Sequence, residues 1–340
     1  MHRSEITIDL GALRRNVRTL LRALDGAQLW AVVKADGYGH GAVDVAGAAL
    51  GAGATALCVA TIPEGLALRA EYTVERIVVM GPPGSNREVA QAREAGLELT
   101  IADGEIPEGA RVHLKLDTGM GRYGLSELPA PPADVVGLMT HLATADTDLD
   151  FARVQLERFR AATEEYSYLT RHAANSAAVL RLPESHLDAV RCGIALYGLS
   201  PFNTDPSDDG FEPVLSWQSV LAQVKQLQPG ESTGYGRRFV AEKPTWIGIV
   251  PVGYADGFRR DLTGAEVRVA GEPRRVVGTV SMDSFAVELD RELPVGSPVV
   301  LLGHGVLAEA HARTAGTINY ELVCGIETGP QRARRTTIDA

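Results

Sequence analysis

The sequence predicts an α/β fold, with an N-terminal TIM-type (β/α)8 barrel followed by a C-terminal, mostly-β domain. In the first 200 residues, short apolar or β-branched runs alternate with helical patterns, which is typical of a parallel sheet. About eight such runs occur, and eight strands close a barrel. Beyond Ser200 the pattern changes to short strand-like runs divided by Pro and Gly turns. The alternation alone leaves an open, doubly wound sheet as the alternative.

The elements of the predicted barrel follow one another in chain order. Leu13, Val17, Leu20 and Leu24 recur at helical spacing and predict the first helix. The predicted strands are residues 29–33, 56–60, 77–80, 97–101, 111–116, 135–140, 168–171 and 187–190. Further helices are predicted at residues 64–70, 86–95 and 151–166, so helix and strand alternate through the first domain.

Residues 201–213 are rich in Pro, Asn, Asp and Gly and are interpreted as a linker. We therefore expect a barrel over residues 1–213 and a β domain over residues 214–340, with the first few residues of the chain as candidates to pair with the β domain. Its predicted strands are residues 215–227, 245–250, 267–270, 275–280, 285–289 and 299–302. Residues 308–324 show a partly helical pattern.

Composition narrows the class of protein. The formal net charge of −10 argues against a nucleic-acid-binding protein, which needs a basic surface. Three cysteines form no Cys-x-x-Cys pair, and the histidines lack metal-ligand spacing, so we expect no disulfide framework and no metal site. No apolar secretory or membrane-spanning segment is evident, so we expect a cytoplasmic protein. Three arginines near the end, Arg332, Arg334 and Arg335, are expected to form a solvated basic tail.

Lys34 is the first residue that indicates chemistry. It directly follows an apolar predicted strand, and the carboxyl ends of barrel strands carry the active site. A lysine desolvated there has a lowered pKa and attacks aldehydes as an amine nucleophile. A strand-end lysine that reaches solvent is the ordinary alternative. The Gly-rich turn that follows, with Tyr38, favours a phosphorylated ligand, because glycine allows close backbone approach.

Other polar residues follow the other predicted strands. Each has an ordinary structural explanation by itself, such as a buried histidine, a surface arginine or a helix cap. A barrel, however, brings the ends of its strands together, and helix N-termini there bind phosphate through backbone N–H groups. The residues concerned are Lys115, Arg122, His141, His172, Asn175, Ser176, Arg191, Gly193 and Ile194.

The predicted β domain contributes two turn motifs. Tyr254 lies in a Gly-flanked turn after one predicted strand, and Met282 and Asp283 follow another. A tyrosine that makes structural hydrogen bonds is the commoner case, and a tyrosine that acts as an acid/base catalyst is the alternative.

Together these motifs resemble those of the alanine racemases. The similar segments occur in the family's order and spacing over nearly the whole chain: residues 31–41, 117–122, 140–146, 172–176 and 191–198, the turn of Tyr254, and residues 281–283. The resemblance implies a fold type III enzyme that uses pyridoxal 5'-phosphate (PLP) and acts on a small-molecule amino acid. It also implies a head-to-tail homodimer that interconverts L- and D-alanine and supplies D-alanine for peptidoglycan synthesis.

The resemblance further implies a role for each site residue. Lys34 binds PLP covalently and acts as base on one face of the substrate, and Tyr254 of the partner subunit acts as base on the other face. The implied cofactor-binding residues are Lys34, Tyr38, His172, Asn175, Ser176, Arg191, Gly193 and Ile194, with Arg191 facing the pyridine nitrogen. Arg122 and the Met282 N–H are implied to bind the substrate carboxylate, with His141, Lys115 and Asp283 in support. Lys115 matches a position that is carbamylated in several members.

The chain departs from the family near its end. The family has a tyrosine there that contacts the cofactor phosphate and braces the catalytic tyrosine, whereas this chain has Thr328, whose shorter side chain is expected to brace Tyr254 less.

Four functions are weighed on this basis, the first being alanine racemisation. A racemase of serine or of broader specificity stays open. A PLP-dependent decarboxylase would pair the pyridine nitrogen with an acid, so Arg191 argues against it. A non-catalytic PLP-binding protein would need only the barrel, so the second domain with Tyr254 argues against it.

Overall fold

The computed structural model describes residues 2–340, which form two compact units. One unit is Leu13–Phe202, and the other joins the N-terminal residues up to Ala12 to Asn203–Ala340. Strand β1 (Glu5–Asp9) therefore belongs with the C-terminal part of the chain, and helix α1 (Leu10–Ala23) crosses the boundary between the units.

The Leu13–Phe202 unit is a closed barrel of eight parallel strands, which confirms the predicted fold class. Its strands are β2 (Gln28–Val32), β3 (Ala56–Val59), β4 (Ile77–Val79), β5 (Glu98–Ile101), β6 (Val112–Lys115), β7 (Val135–Met139), β8 (Thr170–His172) and β9 (Ala189–Cys192). Strand β2 pairs with β9 and closes the barrel. Apolar side chains fill the strands because both faces of a parallel barrel sheet are covered.

Helices lie between most of the barrel strands. They are α2 (Lys34–Tyr38), α3 (Ala42–Gly51), α4 (Ile62–Arg69), α5 (Asn86–Glu94), α6 (Leu149–Thr163) and α7 (Ser176–Arg181). Several begin at a side chain that caps a free backbone N–H, as Asp148 does for α6 and Asn175 for α7. Most observed bounds lie within about two residues of the predicted ones, which is the usual ambiguity of element ends.

The second unit is built on a nine-stranded sheet with the order β11-β14-β17-β16-β15-β18-β10-β1-β19. Its strands are β10 (Leu215–Val220), β11 (Gln223–Leu227), β14 (Thr245–Val250), β15 (Glu266–Val269), β16 (Glu272–Val277), β17 (Phe285–Leu289), β18 (Pro298–Leu302) and β19 (Arg334–Ile338), joined by β1. Strands β12 (Ser232–Thr233) and β13 (Phe239–Val240) form a separate small ladder. Helices α8 (Ala308–Ala315) and α9 (Asn319–Cys324) complete the unit.

Two details of the second unit differ from the sequence-based expectation. The run at 215–227 is two strands, because the chain breaks the ladder at Leu221, whose N–H donates to the Ser297 carbonyl. The expected solvated tail needs correction: Arg334 is exposed as expected, but Arg334 and Arg335 lie in β19, which pairs in parallel with β1. In the described part of the chain, every helix is too short or too polar to cross a lipid bilayer.

Candidate active site

Lys34 follows β2 and begins α2, a turn with unusual backbone geometry. Four successive residues after it have left-handed φ angles of 52°, 50°, 60° and 54°, namely Ala35, Asp36, Gly37 and Tyr38. Only the glycine adopts this conformation at little cost, and each of the other residues stores of order 1–3 kcal/mol of strain. Such strain persists where surrounding structure enforces it, which is common at functional sites.

The Glu64 carboxylate holds this left-handed turn in place. Glu64 Oε1 accepts from the Ala35 N–H at 2.8 Å, while its Oε2 accepts from the N–H groups of Ala60 and Thr61 at 2.8 and 3.1 Å. Glu64 thus ties the loop after β2 to the loop after β3. The capping pattern Thr-x-x-Glu signals a helix start, but it does not reveal this second role.

Tyr38, Ser176 and Gly193 meet at a backbone cradle. The Ser176 hydroxyl oxygen accepts from the Gly193 N–H at 3.1 Å, and the Tyr38 ring lies 4.9 Å from that of Tyr197. A Cβ on Gly193 would lie 2.4 Å from the Tyr38 hydroxyl, so only glycine lets the phenol approach this backbone. Phenol, hydroxyl and backbone N–H groups at one point are suited to a phosphate. Asn175 instead caps α7, since its side chain accepts from the Ala178 N–H at 3.0 Å.

Arg191 is buried, and the structure commits four of its five N–H donors. Its Nη1 donates to His172 Nδ1 at 2.6 Å and to the His172 carbonyl at 2.9 Å. Its Nη2 donates to the carbonyls of Thr140 and Ala173 at 2.8 and 3.0 Å, and His141 Nδ1 lies 3.4 Å from the same nitrogen. Within residues 2–340, the Nε–H is the donor of Arg191 that has no acceptor.

His141 lies among four cations at the carboxyl ends of the barrel strands. Burial, then the charges of Arg191, Lys115, Arg122 and Lys34, lower its pKa to about 3. The imidazole is therefore neutral at ordinary pH. This mutual influence shows that the barrel brings the predicted cations together, as expected for converging strand ends. Their combined field favours anionic ligands.

Lys115 is the most perturbed lysine of this cluster. It is 5% exposed, and burial followed by the charges of Arg122 and Arg191 lowers its pKa to about 8. Its Nζ lies 5.8 Å from the centre of the Tyr123 ring, and no carboxylate among residues 2–340 pairs with it. A substantial fraction of this amine is therefore neutral near pH 8.

Arg122 stands on a loop organised by Asp117. The Asp117 carboxylate accepts from three successive backbone N–H groups, those of Gly119, Met120 and Gly121, at 2.9 to 3.1 Å. This arrangement folds the loop tightly and leaves Arg122 exposed. An exposed guanidinium next to the cation cluster is available to a carboxylate ligand.

In the second unit, the two predicted turn motifs lie against each other. The N–H groups of Tyr254 and Ala255 donate to the carbonyls of Ser281 and Met282 at 3.1 and 3.0 Å. A Cβ on Gly253 would lie 2.3 Å from the Ser281 carbonyl oxygen, so glycine is required for this contact. The side chains of Tyr254 and Met282 are 42% and 53% exposed, so both motifs present groups to solvent in the described unit.

Asp256 is the buried carboxylate that stabilises the Tyr254 turn. It is 1% exposed and accepts from Arg3 at 2.8 Å, from Arg332 Nε at 3.0 Å and from the Gly253 N–H at 2.9 Å. Arg332 also pairs with Asp283 at 2.6 Å, so it links both turn motifs and is not a solvated tail residue. Thr328 lies in the segment that follows Glu327, whose N–H donates to the Asp256 carbonyl at 3.1 Å.

The structure thus divides the predicted site residues into groups. Lys34, Lys115, Arg122, His141 and Arg191 share one cluster, and Tyr38, Ser176 and Gly193 form the cradle, with Ile194 directly after it. His172 has both ring nitrogens engaged, with Arg191 and His113, so its hydrogen bonds support the arginine. Sequence reasoning missed Glu64, Tyr197, His113, Glu98 and Asp256, because their partners are distant in sequence.

These residues fit the group that the sequence motifs imply. PLP needs an amine, a phosphate site and a partner for its pyridine nitrogen. The structure offers all three: Lys34 is the amine, the cradle at Gly193 is the phosphate site, and the Arg191 Nε–H is a donor for the pyridine nitrogen.

Comparison with known proteins gives consistent matches over the whole chain. The family model "Alanine racemase, N-terminal domain" matches residues 8–201, and "Alanine racemase, C-terminal domain" matches residues 214–335. A relative named alanine racemase, from Symbiobacterium thermophilum, is 41% identical over 353 residues, covering 94% of this chain and 93% of that protein.

Two solved structures are similar in fold as well as in sequence. The alanine racemase from Streptomyces coelicolor A3(2) is 39% identical with a TM-score of 0.90, covering 99% of this chain and 98% of that one. The biosynthetic alanine racemase from Pseudomonas aeruginosa is 35% identical with a TM-score of 0.92, covering 99% and 100%.

Proposed function

This chain belongs to the alanine racemase family of PLP-dependent enzymes, and we propose that it interconverts L- and D-alanine with Lys34 and Tyr254 as its two bases. The observation that carries the proposal is the position of Lys34, on a strained turn at the end of a barrel strand and within a cluster of cations. An amine in such a field is suited to bind an aldehyde and to exchange protons.

The residues around Lys34 would hold the cofactor. The cradle of Tyr38, Ser176 and Gly193, with the N–H of Ile194, would bind the phosphate, and Arg191 Nε would face the pyridine nitrogen. When bound, PLP withdraws electrons from the substrate α-carbon and so makes its proton more acidic. A fixed arginine cation beside the pyridine nitrogen disfavours protonation of that nitrogen, which moderates this withdrawal and limits side reactions.

Racemisation requires a proton to leave one face of the α-carbon and another to arrive on the opposite face. One side chain does not reach both faces, so two bases are needed, each within hydrogen-bond distance of the carbon's proton. Lys34 would take the proton from D-alanine and Tyr254 the proton from L-alanine. Neutral His141, whose Nδ1 faces the Arg191 guanidinium, would donate its Nε2–H to the tyrosine oxygen and so polarise the hydroxyl.

Arg122 and the backbone N–H of Met282 would bind the substrate carboxylate. The exposure of both residues and the tight loop around Asp117 support this assignment. Asp283 would act indirectly, since it pairs with Arg332, which also binds Asp256 below the Tyr254 turn.

We propose that the enzyme is a homodimer in which Tyr254 of the partner subunit completes each site. The exposure of Tyr254 and Met282 on adjacent turns supports a shared site. Co-expression of Lys34→Ala and Tyr254→Phe chains tests it, because a mixed dimer then carries one site with both bases intact. Random assembly is expected to restore about a quarter of the wild-type activity per chain, as two-fold symmetry dictates. No restored activity in a stable mixed dimer would contradict the shared site.

We also propose that Lys115 is carbamylated. The lysine loses its ammonium proton to solvent, and the neutral amine then attacks CO₂, forming the N–C bond as one C–O π bond opens and releasing a second proton, so that an anion replaces a cation. The lowered pKa of Lys115 and its lack of a carboxylate partner both favour this change. The new anion would lie beside Arg122 and orient its guanidinium.

The substrate range is the main point that an assay has to decide. We expect a chiral assay over L-amino acids with added PLP to give the fastest inversion with alanine. Faster inversion of serine would redefine the specificity, and binding of PLP without inversion would indicate a carrier protein. D-alanine for peptidoglycan, made in the cytoplasm, is the role we propose for the product.

A further inference from the structure

A buried chain of side chains runs from Arg191 across the interior of the barrel. Arg191 Nη1 lies 2.6 Å from His172 Nδ1, and His172 Nε2 lies 2.9 Å from His113 Nδ1. His113 Nε2 then lies 2.8 Å from Glu98 Oε2. Because Glu98 is the first residue of β5, the chain leads from the cation cluster to the opposite end of the barrel.

The chemistry of the two ends fixes the direction of every hydrogen bond. A guanidinium only donates, so His172 Nδ1 must accept and its proton must sit on Nε2. His172 Nε2–H then donates to His113 Nδ1, which places the proton of His113 on Nε2 as well. An ionised carboxylate only accepts hydrogen bonds, so Glu98 Oε2 accepts the hydrogen bond that His113 Nε2–H donates. No other arrangement of two neutral imidazoles satisfies both ends.

The surroundings keep both imidazoles neutral and in place. His113 and His172 are fully buried, and burial lowers the pKa of each ring, that of His172 strongly. Burial tends to raise the pKa of Glu98, but the His113 hydrogen bond and the Arg76 charge lower it below its usual range, so the carboxylate stays ionised. A Cβ on Gly137 would lie 2.2 Å from His113 Nδ1, so a glycine on β7 leaves room for the ring.

Glu98 is itself held by two arginines. Arg76 Nε donates to Oε2 at 2.7 Å, and Arg111 donates to Oε1 through two nitrogens at 3.0 and 2.9 Å. The Arg76 guanidinium also lies 4.5 Å from the centre of the Trp30 ring, which packs against His172. Arg76 and His113 share Oε2, so these two contacts place the oxygen that accepts from His113, and the Arg111 contact at Oε1 is not needed for it.

We propose that Glu98 is a positioning residue for Arg191, acting through His113 and His172 to fix the hydrogen-bond direction that leaves the Nε–H as the free donor facing the cofactor ring. The inference rests on the proposed function only in taking PLP as the group that Arg191 faces. It assigns a functional role to a carboxylate at the end of the barrel remote from the reaction.

Histidine NMR of the holoenzyme labelled with ¹⁵N tests the proton positions without any substitution. We expect His113 and His172 both to carry their single proton on Nε2 and to be neutral at pH 7 and above, since the pKa of each ring is lowered. A proton on Nδ1 of either ring would overturn the proposal. This measurement is independent of racemisation, so failure of the proposed function would leave its result intact.

Glu98→Gln tests the effect on Arg191, with Arg111→Ala as the matched control. The glutamine keeps the size of the side chain but lacks the negative charge that keeps the His113 proton on Nε2. We therefore expect the ¹⁵N signals of His172 and the absorption maximum of bound PLP to shift. We expect kcat to fall about tenfold, the lower end of what losing a ligand's outer partner costs in metal sites, with KM nearly unchanged. Arg111 is 62% exposed, and Arg76 and His113 still hold Glu98 without it, so its variant should match wild type.

Two results of these variants would refute the role of Glu98. One is an unchanged His172 signal and cofactor spectrum in a folded Glu98→Gln enzyme. The other is an equal effect of Arg111→Ala, since that would trace the change to the surface cluster rather than to the chain of imidazoles. If Glu98→Gln does not fold, the proton positions in wild type still decide.

Discussion

The Lys34 turn in the barrel and the Tyr254 turn in the second unit each present one proposed base, but they are built differently. The barrel surrounds Lys34 with cations from several strand ends and stores strain in its backbone. The second unit holds Tyr254 by backbone hydrogen bonds to Ser281 and Met282 and by one buried carboxylate, Asp256. The first turn is thus tuned by electrostatics and the second is fixed by geometry.

Of the substitutions that test this difference between the two turns, Lys34→Ala should have the largest effect on racemisation. Lys34→Ala removes both the covalent attachment of PLP and one base, so racemisation should fall at least about 10³-fold. The visible absorption band of bound PLP should disappear as well. Lys225→Ala, at an exposed position of β11, is the matched control and should retain both. A retained band in Lys34→Ala would place the cofactor elsewhere.

Replacing Tyr254 should separate proton transfer from cofactor binding. Tyr254→Phe should keep the PLP band while L-to-D turnover falls about 10²- to 10⁴-fold, the usual contribution of a general base. Exchange of the α-proton in D₂O should survive from D-alanine, because Lys34 remains, and should be lost from L-alanine. Tyr235→Phe, a 72% exposed tyrosine of the same unit, is the control. Intact turnover from L-alanine would refute the two-base assignment.

Removing the charge of Asp256 should test the geometric construction of the second turn. Asp256→Asn leaves Arg3, Arg332 and the Gly253 N–H without their charged acceptor, so the free energy of unfolding should fall by about 1–3 kcal/mol. Urea denaturation measures the loss, and the PLP band should be unaffected in the folded protein.

Asp261→Asn is the control for that experiment. Asp261 pairs with Arg259 at a position that is 44% exposed, so its loss should cost less than about 1 kcal/mol. Equal losses in the two variants would mean that Asp256 has no special role in holding the turn.

The electrostatic tuning of the barrel cluster predicts a smaller, pH-dependent effect at Lys115. Folding lowers the pKa of this amine from 10.5 to about 8, so between these values the unfolded chain binds more protons and stability rises with pH. Relative to Lys115→Met, wild type should gain up to about 3 kcal/mol over that range in CO₂-free buffer. A difference between wild type and Lys115→Met that stays flat over this pH range would refute the lowered pKa.

The fold and the first proposed base could be predicted from local pattern. Alternating apolar runs specify the barrel strands, and a lysine directly after one of them lies at the active-site end of any parallel barrel. The predicted run 285–289 coincides with β17, and α1 covers Leu13, Val17 and Leu20 of the predicted periodic run, because side-chain periodicity depends on neighbours a few residues apart. The family motifs add roles to these positions.

The long-range side-chain contacts that stabilise the site could not be predicted from local pattern. Arg332 reaches Asp256 across 76 residues, Arg3 reaches it across 253, and His172 reaches His113 across 59. The basic residues near the C-terminus do not indicate by their pattern that Arg332 contacts Asp256 beneath the Tyr254 turn. No periodic pattern records a contact between residues so far apart.

By itself, the sequence determined the eightfold alternation, the strand-end Lys34 and the Gly-flanked Tyr254, because each is a property of a short segment. Only the tertiary structure decided which side chains hold those groups. The pairing of β1 with β19, the hydrogen bonds of Arg191 and the direction of the Glu98 chain all depend on elements that meet after folding. Hydrogen-bond donors and acceptors can be matched only when their positions in space are known.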